Sequence, residues 1–176
     1  MPYMIMFVLD VFKIYRQMEK LESMRRQITV AILSIFILFL IDIFTKNLAF
    51  LNLQLNTPLP VNNFINLTLV YNYGAAFSFL SDQGGWQRYF FIAASLIIIF
   101  ILFVLLIKTE NYNKTSLILI ISGALGNLYD RISYGYVIDF IELHYDNFYW
   151  PIFNFADITI SIGTMILLIN IIFEKK

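Results

Sequence analysis

The sequence predicts an all-α membrane protein: four transmembrane helices with a small extracytoplasmic antiparallel β-sheet. Three observations predict it. The chain is 60% hydrophobic with a mean hydropathy of +0.75, far above a soluble domain. Four apolar runs recur, Ile28 to Ile41, Tyr89 to Ile107, Thr115 to Tyr129 and Ile158 to Phe173. Between the first two runs, apolar and polar residues alternate as in a half-buried strand.

Residues 1–27 hold a short apolar patch, Ile5 to Leu9, broken by Asp10 and followed by mixed-charge, helix-prone sequence. The patch is too short and its flank too charged for a cleavable signal peptide. Two readings stand: a cytoplasmic amphipathic surface helix, or sequence upstream of a start at Met24. The segment is assigned no chemistry. Residues 28–176 are expected to form one integral membrane domain.

The first span is expected over about 28–50, the others over about 89–107, 115–133 and 157–173; a bilayer crossing takes ~20 apolar residues. Asp42 and Lys46 lie four apart near the outer end of the first span, acid first, the favourable order for a pair on one helix face. A local ion pair neutralising a costly carboxylate explains them equally well. Residues of about 51–88 form the extracytoplasmic β region: Pro58 and Pro60 end the helix, Ile65 to Val70 alternate, and Tyr71-Asn72-Tyr73-Gly74 signals a turn. Trp86 and Tyr89 anchor the second span at the headgroup level.

Nine of the twelve basic residues precede the first span, lie between the second and third, or end the chain, leaving Lys46, Arg88 and Arg131 elsewhere. By the positive-inside rule both termini and the loop from Lys108 to Lys114 are cytoplasmic, so the polar helix ends face outward. Zero net charge argues against a nucleic-acid partner. There is no cysteine and a single histidine, His144, read as an interfacial loop residue, so no metal site or thiolate chemistry is expected.

The chemistry concentrates at two acids, Asp139 and Asp157, at the ends of apolar segments. A carboxylate at the edge of hydrocarbon costs several kcal/mol unless paired or facing a polar cavity, which makes each a functional-site candidate. On a helix, Asn127, Asp130 and Arg131 form one polar cluster, and their bolting the helix end together is favoured over direct catalysis. Gly135 breaks that helix before Val137 to Ile141. Asn154 and Asp157 open the last span three residues apart, where an Asn caps and an acid complements the dipole. Capping accounts for Asp157 but not for Asp139, which lies beyond a helix end.

With these residues in hand, the chain resembles the lipoprotein signal peptidases, or signal peptidases II. The motifs are IDIFTK (Ile41 to Lys46), YNYGAAFSFL (Tyr71 to Leu80), GALGNLYDRISYGYVIDFI (Gly123 to Ile141) and FNFADITISIG (Phe153 to Gly163). The resemblance covers the chain from about Met24 to its C-terminus; residues 1–23 are longer than the short start the family suggests. It implies a bacterial cytoplasmic-membrane aspartic endopeptidase with Asp139 and Asp157 as its catalytic dyad. It also implies supporting roles for Asp42, Lys46, Asn72, Gly74, Asn127, Asp130, Arg131 and Asn154. The implied substrate is a diacylglyceryl-modified prolipoprotein, cut on the amino side of the lipidated cysteine, with membrane lipids as surroundings. No cofactor is expected, and monomeric action is the default.

Two nearby carboxylates do not both ionise cheaply, so one holds a proton while the other takes one from water. A proton relay would place acids at several depths, and the uncharged second span offers none. A purely structural subunit would not need Asp139 outside a helix.

Overall fold

A computed structural model describes residues 2–74, 84–109 and 113–173. The Ala75 to Leu80 part of the second motif lies outside the described residues. The chain divides into two compact units, Met1–Ser34 and Ile35–Lys176. The first unit is helical, belonging to α1 (Pro2–Asn52), and from Val11 to Gln27 its side chains are exposed.

The second unit holds the rest of α1, then β1 (Leu59–Pro60), β2 (Ile65–Asn72), α2 (Trp86–Lys108), α3 (Asn113–Ser133), β3 (Val137–Tyr145), β4 (Phe148–Tyr149) and α4 (Phe155–Phe173). Among the described residues three helical stretches are long and apolar enough to cross a membrane: Val11–Asn52, Trp86–Lys108 and Phe155–Phe173. This is a multi-pass membrane protein. α3 falls short of them in hydropathy because Asn127, Asp130 and Arg131 crowd its last two turns.

Glycines set how closely the helices approach. A methyl group on Gly123 would run into the Ala156 carbonyl and Thr159, and one on Gly163 would come within 2.8 Å of the Ser116 carbonyl. α3 and α4 therefore meet nearly backbone to backbone, as small residues allow in membranes. A methyl on Gly126 would strike the Asp42 carboxylate, so the same rule admits a side chain of α1 to the α3–α4 contact.

The sheet runs β1-β2-β3-β4, all neighbours antiparallel. Here the expectation is corrected. Residues 51–88 supply only half of the sheet, and Asp139 lies within a strand, opposite Val70. The β2–β3 register shifts between Leu67 and Val70. β3 and β4 turn through Asp146, whose φ is 50°. On its other side β3 is held by Phe153: Ile141 N donates to the Phe153 carbonyl at 2.8 Å and Phe153 N to the Ile141 carbonyl at 3.0 Å. That pairing delivers the start of α4 to the side of Asp139.

Candidate active site

Three helices, α1, α3 and α4, and two strands, β2 and β3, converge here. α4 begins with a reciprocal cap. Asp157 N donates to Asn154 Oδ1 at 2.9 Å, while Asn154 N donates to Asp157 Oδ2 at 3.1 Å. This is the capping-box logic with Asn and Asp in the two places, and caps of this kind stabilise a helix by about 1 kcal/mol. The next N–H, that of Ala156, donates at 2.8 Å to Asp42 Oδ1, so α1 caps α4 as well.

Asn154 is fully buried and touches both acids. Its amide nitrogen donates to Asp139 Oδ1 at 2.7 Å, with Asn127 Oδ1 at 3.1 Å and the Ile138 carbonyl at 3.3 Å as further acceptors. Asn72 Nδ2 donates to the other oxygen of Asp139 at 2.9 Å, and Asn127 Nδ2 donates to Asp157 Oδ1 at 2.9 Å. Each side-chain oxygen of the pair thus accepts from an uncharged group. Burial pushes the Asp139 carboxyl up to about 7, and the Asp157 charge pushes the same way; the bonds from Asn72 and Asn154 and the Lys46 charge oppose the shift.

Lys46 is buried; its ammonium pairs with Asp42 Oδ2 at 2.7 Å and Asp130 Oδ2 at 2.9 Å and donates to Asn127 Oδ1 at 3.0 Å. Lysine only donates, so Asn127 turns its oxygen to Lys46 and its nitrogen to Asp157. Asp130 also accepts from Ile138 N at 3.1 Å, fixing the residue before Asp139. Arg131 Nη2 donates to the Gly74 carbonyl at 2.9 Å and Nη1 to the Asn127 carbonyl at 3.3 Å, with Phe91 beneath the guanidinium at 5.2 Å. Gly74 N in turn donates to Asn72 Oδ1 at 3.0 Å.

All ten residues singled out in the sequence therefore join one network. The cluster expected on α3 is divided differently: Asp130 serves Lys46 and β3, Arg131 serves Gly74, and Asn127 joins the two sides. Two residues escaped the sequence reading. Arg88 donates to the carbonyls of Arg131 at 2.9 Å and Ile132 at 2.8 Å, closing the C-terminus of α3. A solitary arginine at the start of a span uncharged from Tyr89 to Ile107 was the available signal. Glu142 is buried on β3 and accepts from Asn66 and Thr68, each at 2.9 Å. An acid inside the apolar run Val137 to Leu143, three residues from Asp139, was its signal.

Residues 34–173 match the family model for signal peptidase (SPase) II. The lipoprotein signal peptidase of Acinetobacter baumannii is 49% identical over 139 residues, which is 77% of this chain and 79% of that protein. That of Francisella tularensis subsp. mediasiatica is 49% identical over 139 residues, covering 77% of this chain and 86% of its own. Two solved bacterial membrane enzymes share the fold. One has a TM-score of 0.76 at 29% identity over 85% of this chain and 91% of that one; the other has 0.72 at 31% identity over 82% and 93%. With the family model spanning the network from Asp42 to Asp157, the chain belongs to the signal peptidase II family.

Proposed function

We propose that this signal peptidase II removes the signal peptide of diacylglyceryl-modified prolipoproteins, cutting on the amino side of the lipidated cysteine, with Asp139 and Asp157 as its catalytic dyad. The observation that carries the reading is that one buried residue, Asn154, holds both carboxyl groups, Asp139 through its side-chain amide and Asp157 through its backbone N–H, and no cation makes a hydrogen bond to either among the described residues. Such a pair can share a single proton near neutral pH.

The ionised member takes a proton from water, and the oxygen attacks the scissile carbonyl. The protonated member polarises that carbonyl and then donates its proton to the leaving amine. The pair titrates as a unit, and burial together with the Asp157 charge keeps the Asp139 proton bound up to about 7. Each step uses only water and the two carboxyl groups. Arg131 keeps N–H groups beyond the two bonds described, suited to a substrate carbonyl.

Four spans, with α3 the third, fit the alternation of polar helix ends and basic loops. Both termini are then in the cytoplasm and the site lies near the extracytoplasmic face of the bacterial cytoplasmic membrane. There the acyl chains stay in the bilayer while the scissile bond rises to the helix ends, which supplies proximity. Residues 28–176 make up the peptidase domain, acting as a monomer without a cofactor.

The test is cleavage of a purified diacylglyceryl-modified prolipoprotein by wild type, Asp139→Asn and Asp157→Asn, with thermal melting as the folding control. Loss of cleavage in both folded variants is expected. Near-full activity in either one removes that carboxylate from the dyad.

A further inference from the structure

The β2–β3 ladder contains an irregularity that decides which way one of the site's amides points. Below it, Leu67 is opposite Ile141 and Asn66 opposite Glu142; above it, Val70 is opposite Asp139 and Asn72 opposite Val137. Two residues of β2, Thr68 and Leu69, therefore oppose the single residue Phe140, the two-against-one count of a β-bulge. Both are buried, breaking the alternation of the strand.

The consequence follows from the period of two. Side chains on opposite residues share a face, so the odd residues of β3, among them Val137, Asp139 and Ile141, share theirs with Leu67 below the bulge and with Val70 and Asn72 above it. Without the extra residue, Leu69 would be opposite Asp139 and Tyr71 opposite Val137. Asn72 would then turn to the other face and lose Asp139 Oδ2. A one-residue slip reverses every side chain beyond it.

The bulge is fastened at one point. Glu142 Oε2 accepts from Asn66 Nδ2, one residue before the register shift, and from Thr68 Oγ1 inside it, both at 2.9 Å. The donors and the acceptor are all buried, so the hydroxyl and the amide have strong reason to stay on that oxygen. We propose that Glu142 is a positioning residue of the reaction: by binding Asn66 and Thr68 it holds the bulge that turns Asn72 onto Asp139. This rests on the dyad reading of Asp139. Glu142 itself touches neither acid, and its effect passes through β2.

The charged groups facing Asp139 are Asp157 on α4, Arg131 on α3 and Lys46 on α1, and none of them is altered by a change at Glu142. The Asn72 hydrogen bond favours the ionised form of Asp139. Loosening it makes the shared proton harder to lose, so the alkaline limb of the pH–rate profile moves to higher pH. A role confined to stability would lower the amount of folded enzyme and leave that limb in place.

The experiment measures kcat and KM against pH on a diacylglyceryl-modified prolipoprotein for Glu142→Ala, Glu142→Gln, Thr68→Val and Asn72→Ala, and for Asn72→Ala combined with Glu142→Ala, each with a melting curve. Glu142→Ala is expected to lose roughly tenfold in kcat, with KM little changed and the alkaline limb raised. Thr68→Val moves the limb the same way by less. Glu142→Gln, which keeps an acceptor oxygen, recovers most of the loss and the wild-type limb. Adding Glu142→Ala to Asn72→Ala moves the limb no further. If Glu142→Ala does not fold, Thr68→Val decides. A lowered rate with an unmoved limb, or additive shifts in the double variant, overturns the inference and leaves the dyad intact. Activity in folded Asp139→Asn overturns the dyad reading itself.

Discussion

Two pairs of acids meet at Asn127 and are handled in opposite ways. On its oxygen side, Asp42 and Asp130 face the Lys46 ammonium, and each also accepts a backbone N–H. On its nitrogen side, Asp157 and Asp139 are held by amides that carry no charge. Arg131 lies near the second pair, yet its hydrogen bonds go to the carbonyls of Asn127 and Gly74. A cation beside an acid favours its charged form, whereas neutral amide donors hold an acid in place without supplying a countercharge. The same residue type builds a lock on one side and, on the proposed function, a reactive pair on the other.

The sharpest way to break this comparison is to make the same change on both sides. Asp139→Asn should cost about 10³-fold in cleavage rate while the melting midpoint stays close to wild type. Asp130→Asn should do the reverse, lowering the melting midpoint by far more than its effect on kcat per folded molecule. Equal behaviour of the two variants would remove the distinction.

Lys46→Met comes next. It leaves two buried carboxylates without their cation, and breaking a buried pair from one side costs about 3–5 kcal/mol. Denaturant melting in detergent should register a loss of that order. A change below about 1 kcal/mol would mean that water replaces the ammonium.

A smaller effect sharpens the other side. A dyad that works with one proton loses activity as pH rises through about 7, because burial and Asp157 keep the Asp139 proton bound below that value and released above it. Arg131→Gln removes a positive charge that faces both acids, so the limb should move upward by up to about one pH unit. A downward move contradicts the assignment. The smallest expected effect is Gly135→Ala, at about 1 kcal/mol of stability. Gly135 has φ 88°, and an added methyl would lie 3.3 Å from Arg88 Nη1, so the cost falls on the α3 terminus and not on the acids.

How much of this could be read in advance depended on distance along the chain. The Asp42–Lys46 pair and the Asn154–Asp157 cap are four and three residues apart, and helix geometry alone brings them together. The end of α3 before Gly135 was equally legible. What local spacing did not carry was the partner of β2: Asn72 meets Asp139 across 67 residues, and no periodicity in either strand names the other. β3 reads as irregular sequence after a helix because Asp139 and Glu142 interrupt its apolar residues, and each is buried only because a specific donor from β2 awaits it. Family motifs drew Asp139 and Asp157 together on paper. The hydrogen bonds to Asn154 supply a physical reason.

The cap that α1 places on α4 also has a bearing on biosynthesis. Asp42 and the Ala156 N–H that it accepts are separated by 114 residues. A chain leaving the ribosome has its Asp42–Lys46 pair in the membrane long before the backbone group that completes it exists. Asn127 then lacks the Asn154 and Asp157 that it will bind, and Asp139 lacks one of its two amides. If Asp139 and Asp157 are the dyad, the enzyme stays silent until its last helix inserts, because the second acid and the Asn154 that binds both arrive only with that helix.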